Sequence, residues 1–201
     1  MSHRFKFDRV GLMIAIKEYL GPIHTAIEVG TYQGYFADVM IHRLQPKQFY
    51  AVDPLRLFPG MNSNPGHEFG SQEKLDKLAE QVSRKLEDSG HTLIRDVSEK
   101  ASQQFDDNSV DIVYLDADHS YTGCSNDIDF WYPKIRDGGI LAGHDYCNGN
   151  PQKGHVYGVI QAVAQLVDEH NLELFVTSDP YPSWMVVKGN HSTQSLKVQT
   201  A

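Results

Sequence analysis

The stretch Ala26-Ile27-Glu28-Val29-Gly30-Thr31-Tyr32-Gln33-Gly34-Tyr35-Phe36, followed by Tyr50-Ala51-Val52-Asp53, constrains the fold more than any other part of the chain. A short apolar run enters a glycine turn and then a helical segment; a second apolar run ends on an acid. Glycine lets the backbone come close to a ligand, and the start of a helix offers N–H groups with no intrahelical partner. An acid about 20 residues past such a turn is placed for the hydroxyls of a ribose. Here Asp53 follows Gly30 by 23 residues. The pattern describes the nucleoside-binding end of a doubly wound α/β sheet and leaves the nucleoside open.

The rest of the chain continues the alternation. Val10 to Leu20 reads as a helix stopped by Gly21-Pro22. Strands are expected at Thr25–Val29, Gln48–Val52, Thr92–Ile94, Val110–Leu115 and Ile140–Ala142. Helices are expected at Gly34–Leu44, around Leu75, Leu78, Ala79, Val82 and Leu86 with Gly90 closing, at Ser125–Ile135 and at Gly158–Glu169. Two last strands, Leu172–Thr177 and Trp184–Val187, are joined only by Ser178-Asp179-Pro180-Tyr181-Pro182, and so short a link requires an antiparallel pair. Leu55–Gly70 and Cys147–Tyr157 read as long loops of the kind that carry binding function. Residues 1–190 are expected to form one domain, with 191–201 a polar, disordered tail.

The chain has 201 residues, is 40% hydrophobic and 22% charged, and carries a net charge of −8. That acidic balance argues against a nucleic-acid backbone as partner, since such binders present basic stripes. No apolar run reaches the ~18 residues of a membrane span. The Val10–Leu20 segment contains Lys17 and Glu18, which fits a core-facing helix rather than a leader. Two cysteines, Cys124 and Cys147, make no disulfide framework, lack metal-site spacing and fit free thiols in a reducing cytoplasm.

The turn is Glu28-x-Gly30-x-x-x-Gly34, with Tyr32 where a dinucleotide fingerprint has its second glycine, so no pyrophosphate seat is evident. Five strands alternating with helices and then an antiparallel pair form the outline of a class I S-adenosylmethionine-dependent methyltransferase. The run Glu28 to Tyr35 resembles the cation-dependent small-molecule O-methyltransferases of the catechol and caffeoyl-CoA type. It is also similar to the group that includes macrolide-sugar O-methyltransferases and cephalosporin-hydroxylase-like proteins. Two further segments carry the resemblance in the right order: Asp111-Ile112-Val113-Tyr114-Leu115-Asp116-Ala117-Asp118-His119-Ser120-Tyr121 and Gly138-Gly139-Ile140-Leu141-Ala142-Gly143-His144-Asp145-Tyr146.

The resemblance implies a Rossmann-like seven-stranded sheet of order 3-2-1-4-5-7-6, the last strand antiparallel, with helices on both faces. It implies that Glu28 and Gly30, with Thr31, Tyr32 and Gly34 of the same turn, shape the methionine end of bound S-adenosylmethionine. Asp53 would take the ribose hydroxyls, Asp96, Val97 and Ser98 would line the adenine, and Asp116 would also border the cofactor. A divalent cation, Mg²⁺, Mn²⁺ or another, would be held by Asp116, His144 and Asp145. His144 stands where the resembling enzymes carry an Asp or Asn, and imidazole suits Zn²⁺, Mn²⁺ or Fe²⁺ better than Mg²⁺. His119 falls where the catechol-type enzymes have a lysine base, and histidine titrates near neutrality.

Plainer roles stand beside these. Asp116 could cap the next segment, His119 could hydrogen-bond within its own turn, and His144 could orient Asp145 rather than ligate. Tyr121, Tyr146 and Tyr157 are candidates for an acceptor pocket, while Trp131 reads as core. The expected function is transfer of a methyl group to a hydroxyl of a small molecule, sugar-bearing or phenolic, by a chain that could be a homodimer. The alternatives are an NAD(P)-linked oxidoreductase and a non-catalytic S-adenosylmethionine-binding module.

Overall fold

The computed structural model describes residues 2–58, 70–150 and 155–200. In chain order it begins with β1 (Ser2–Arg4), α1 (Arg9–Leu20), β2 (Thr25–Val29), α2 (Tyr35–Leu44) and β3 (Gln48–Val52). There follow α3 (Gln72–Asp88), β4 (Thr92–Ile94), α4 (Ser98–Ser102), β5 (Val110–Leu115) and α5 (Tyr121–Trp131), then a 3-10 turn at Tyr132–Lys134. The remainder is β6 (Ile135–Gly143), β7 (Gly149–Asn150), β8 (His155–Val156), α6 (Val159–His170), β9 (Leu174–Val176), β10 (Trp184–Val187) and α7 (Gln194–Val198).

The main sheet runs β1-β9-β10-β6-β5-β2-β3-β4. Its last seven members, read from β4 back to β9, have the anticipated order. β10 is antiparallel to β9, as the short link of residues 177–183 demands, and also to β6. The count is corrected from seven to eight: β1 adds in parallel beside β9, pairing Ser2 with Leu174 and Arg4 with Val176. Ser2-His3-Arg4 has no apolar alternation to announce a strand. Its state is set by backbone pairing, by the His3 ring stacked on Phe175 at 4.9 Å, and by fully buried Phe5 just beyond it.

Alternation along the central strands divides the core between two helical layers. Ile112 and Tyr114 of β5 face the layer of α1 and α2, packing with Leu12, Met13, Ile16, Phe36 and Met40. Val113 and Leu115 face the layer of α5 and α6, packing with Ile128, Trp131, Val159 and Val163. Trp131 is fully buried, as its spacing indicates.

Four local departures have physical causes. α5 starts at Tyr121 rather than Ser125 because Ser120 caps it, its hydroxyl accepting from Gly123 N–H at 3.0 Å. It stops at Trp131 because Pro133 follows. β6 begins at Ile135, and the pairing shift between Val110 and Ile112 accommodates Asp137-Gly138-Gly139 inside it. Within residues 191–201, expected as a polar tail, α7 forms and buries Leu196 completely in the layer of α1. Residues 59–69 of the first long loop, with His67 and Phe69, and 151–154 of the second lie outside the described residues. Among the described residues no helix is long and apolar enough to cross a membrane.

Candidate active site

The chain proceeds outward from β2 to β3 and β4 on one side, then returns to β5 and β6 on the other. β2 and β5 therefore flank the point where strand order reverses, the crevice in which open parallel sheets take ligands. The residues assigned from the sequence to the cofactor, the cation and the acceptor proton all lie at this edge, just inside or beyond the carboxyl end of β2, β3, β4, β5 or β6.

Gly30 leaves β2 with φ +91°. A side chain there would place Cβ 2.7 Å from the Ala117 Cα and still closer to the Asp116 carbonyl. Glycine is thus required for the tips of β2 and β5 to touch, which brings Asp116 beside the turn. Gly34 (φ +73°) opens α2, and no side chain caps that helix start. Asp53 takes Tyr32 N–H on one carboxylate oxygen and Leu55 N–H on the other, each at 2.8 Å. A carboxylate oxygen accepts more than one hydrogen bond, so a diol can still be received by both. Burial pushes the Asp53 carboxyl up, against the pull of those two bonds. These features fit the nucleoside end of S-adenosylmethionine.

Glu28, 1% exposed, hydrogen-bonds with the Thr31 hydroxyl. Burial pushes its carboxyl up to about 8, opposed by Thr31 and reinforced by the charges of Asp116 and Asp53. On the β4 side, Val97 precedes the first turn of α4 and its N–H donates to Asp96 at 2.8 Å. The Ser98 hydroxyl turns inward, accepting from Trp131 Nε1 at 2.8 Å. It also meets Asp127 of α5, whose carboxyl is pushed up to about 6 by burial.

The acids and histidines beyond β5 and β6 converge. One ligand atom each from Asp116, His144 and Asp145 lies within 4.8 Å of the others. Asp145 has a left-handed backbone (φ 56°) and is buried, a conformation that turns it back toward Asp116. The His119 Nε2 stands 3.3 Å from Asp116 Oδ1 and 2.9 Å from Asp145 Oδ2, and the Tyr157 ring lies 4.8 Å from the imidazole. His144 Nδ1 is 3.3 Å from Asp145 Oδ1 and 3.8 Å from Asp116 Oδ1. Burial disfavours a charged His119 ring, but hydrogen bonds and charge from the two carboxylates outweigh it and lift the imidazole to about 9. Burial likewise opposes ionisation of Asp145, yet its two histidine partners hold it well below the usual carboxylate range. His119 Nε2 thus spans two carboxylates in this geometry. The donor set of two carboxylates and an imidazole fits a divalent cation.

Sequence reasoning missed one charged member. Arg9 begins α1; its Nη1 is 3.7 Å from Asp116 Oδ2 and its guanidinium lies 4.5 Å from the centre of the Phe36 ring. Nothing around Asp8-Arg9-Val10 marks a site, because the contact joins residues more than a hundred positions apart.

A family model described as a methyltransferase domain matches residues 27–146, more than half of the chain. A protein of Acanthamoeba polyphaga mimivirus, "Uncharacterized protein R132", is 25% identical over 124 residues, 61% of this chain and 51% of that protein. The chain thus spans about half the length of that relative. Spermidine synthase from Thermotoga maritima has a similar fold, with TM-score 0.58 and 11% identity over 95% of this chain and 63% of that one. The O-methyltransferase from Bacillus cereus in complex with SAH gives 0.59 and 13% over 90% and 80%. An O-methyltransferase family protein from Burkholderia thailandensis gives 0.62 and 12% over 92% and 56%. At such identities these structures speak for the fold, while the match over residues 27–146 speaks for descent. The chain belongs to the methyltransferase domain family, and its fold is that of the class I S-adenosylmethionine-dependent methyltransferases.

Proposed function

We propose that the protein transfers the methyl group of S-adenosylmethionine to a hydroxyl of a small molecule. The observation that carries this reading is the convergence of Asp116, His119, His144 and Asp145 beside the glycine turn. The cofactor would lie across the tips of β2 and β3, its ribose on Asp53 and its amino-acid end over Gly30. Its sulfonium would then face the carboxylate of Asp116, with the Glu28 carboxyl beside it, and the negative charge of Asp116 favours a cation.

Methyl transfer is an in-line displacement: an oxygen lone pair forms the new C–O bond as the C–S bond breaks and its electrons return to sulfur. Holding the oxygen opposite sulfur supplies a large part of the acceleration. Asp116, His144 and Asp145 are the residues that would hold a divalent cation, which when bound lowers a hydroxyl's pKa and orients it. His119 is the group placed to hydrogen-bond the acceptor, and its ring would accept the acceptor's proton once Asp116 and Asp145 held a cation in place of the imidazole. Tyr157 against His119 offers an aromatic wall on the acceptor side.

Calorimetry with SAH, and transfer of labelled methyl to a panel of phenols and sugars with and without a chelator, tests this reading. Uptake of SAH and label on a hydroxyl oxygen are the expected results. Folded protein that takes up NAD(P) and neither S-adenosyl compound would overturn it, and tight SAH binding without turnover on any acceptor would leave a non-catalytic binding module.

A further inference from the structure

Arg9 is the one arginine or lysine, among the described residues, whose charge is paired with an acid of the centre. Its helix start is fixed by Asp8, which accepts Val10 and Gly11 N–H at 3.0 Å each. The guanidinium rests on the ring of Phe36, at the start of α2 directly after the glycine turn. The contact with Asp116 is long, at 3.7 Å, and single. A guanidinium has five N–H donors in a planar fork, and a distance beyond hydrogen-bonding range leaves that fork uncommitted to Asp116.

We propose that Arg9 is a cofactor-binding residue that receives the α-carboxylate of the methionine end of S-adenosylmethionine. This rests on the reading of the cofactor given above and extends it. The amino-acid end of that molecule carries one negative and, with sulfur, two positive charges. The crevice supplies carboxylates at Asp53, Asp116 and Asp145, beside the buried Glu28 carboxyl. A carboxylate entering beside the glycine turn would otherwise meet the acids Asp53 and Asp116, since His119 is already engaged by Asp116 and Asp145. Arg9 is tethered by Phe36 beside the turn where the amino-acid end is expected, and its fork matches a carboxylate bidentately. The weak contact with Asp116 is then one that the ligand replaces, leaving Asp116 free to face positive charge.

Two ligands separate this role from others: SAH, and its decarboxylated counterpart, which keeps the adenosine, the sulfur and the amine. In the unaltered protein SAH should bind at least tenfold more tightly than the decarboxylated compound. Arg9→Gln should weaken SAH roughly 10- to 100-fold and leave the decarboxylated compound within about twofold, erasing the preference; Arg9→Lys should fall between. Circular dichroism and melting of each variant establish that it is folded. A preference that survives intact in Arg9→Gln overturns the assignment while leaving the proposed function standing. If neither compound binds the unaltered protein, both readings fall together.

Discussion

Two acids on one strand, Asp111 at the start of β5 and Asp116 just past its end, occupy opposite rims of the sheet and behave differently. Asp111 accepts His24 N–H at 2.7 Å, Thr25 N–H at 2.9 Å and Arg136 Nε–H at 2.6 Å. Its charge is consumed in tying the entry of β2 and the start of β6 to β5. Among the described residues the Asp116 carboxylate has only side-chain partners, His119 at 3.3 Å, Arg9 at 3.7 Å and His144 at 3.8 Å, and two of these lie beyond hydrogen-bonding range. Backbone donors close one rim. Longer contacts with side chains that can rotate away leave the other able to exchange partners for a ligand. A buried acid is thus structural or functional according to who satisfies it, not according to its residue type.

That contrast can be broken most sharply at the open rim. Replacing Asp116 and Asp145 together by asparagine is expected to lower kcat/KM by about 10²–10⁴-fold. The melting temperature should change little, and methyl transfer assayed beside thermal melts would show the separation. At the closed rim, Asp111→Asn should cost about 1–3 kcal/mol in urea denaturation, because a backbone donor or Arg136 loses its charged acceptor. SAH affinity of the folded fraction should be retained, and a large affinity loss there would erase the distinction between the rims.

The smallest expected effect concerns Glu28, on the same edge as Asp116. Its carboxyl is raised by burial from its ordinary 4.5 to about 8. The folded state therefore favours the neutral form. The associated stability is complete below the unfolded value and is lost as pH rises through about 8. Glu28→Gln stays neutral, so the protein carrying Glu28 should lose about 1 kcal/mol relative to the variant between pH 6 and 7, with the difference levelling off above about 8. Parallel melting curves for the two proteins would expose a flat difference if Glu28 is not neutral when folded.

The parts legible in advance share a feature: each is written within a short stretch of chain. β2, β3, β4, β5 and β10 match their expected bounds residue for residue, because period-two burial or a continuous apolar run ends at a glycine, acid or turn. Gly30, Gly34 and Asp53 could be placed for the same reason. β1 was not legible, since its three residues become a strand only by pairing with β9, far along the chain. Nor was α7, whose one buried anchor, Leu196, sits among polar neighbours.

From its residues, this chain specified an alternating doubly wound sheet with a final antiparallel pair, and its resemblance to a known family supplied the order of the strands and the edge at which chemistry-bearing side chains gather. Only the tertiary structure decided how those side chains meet. It set the positive φ that turns Asp145 back, the close passage of Gly30 over the Asp116 backbone, the span of His119 between two carboxylates, and the arrival of Arg9 from the first helix. Strand positions follow from hydrophobic periodicity and turn residues, which are local quantities. A partner at 3 Å is fixed by backbone conformation at element ends and by packing between distant segments, and no window of sequence contains both.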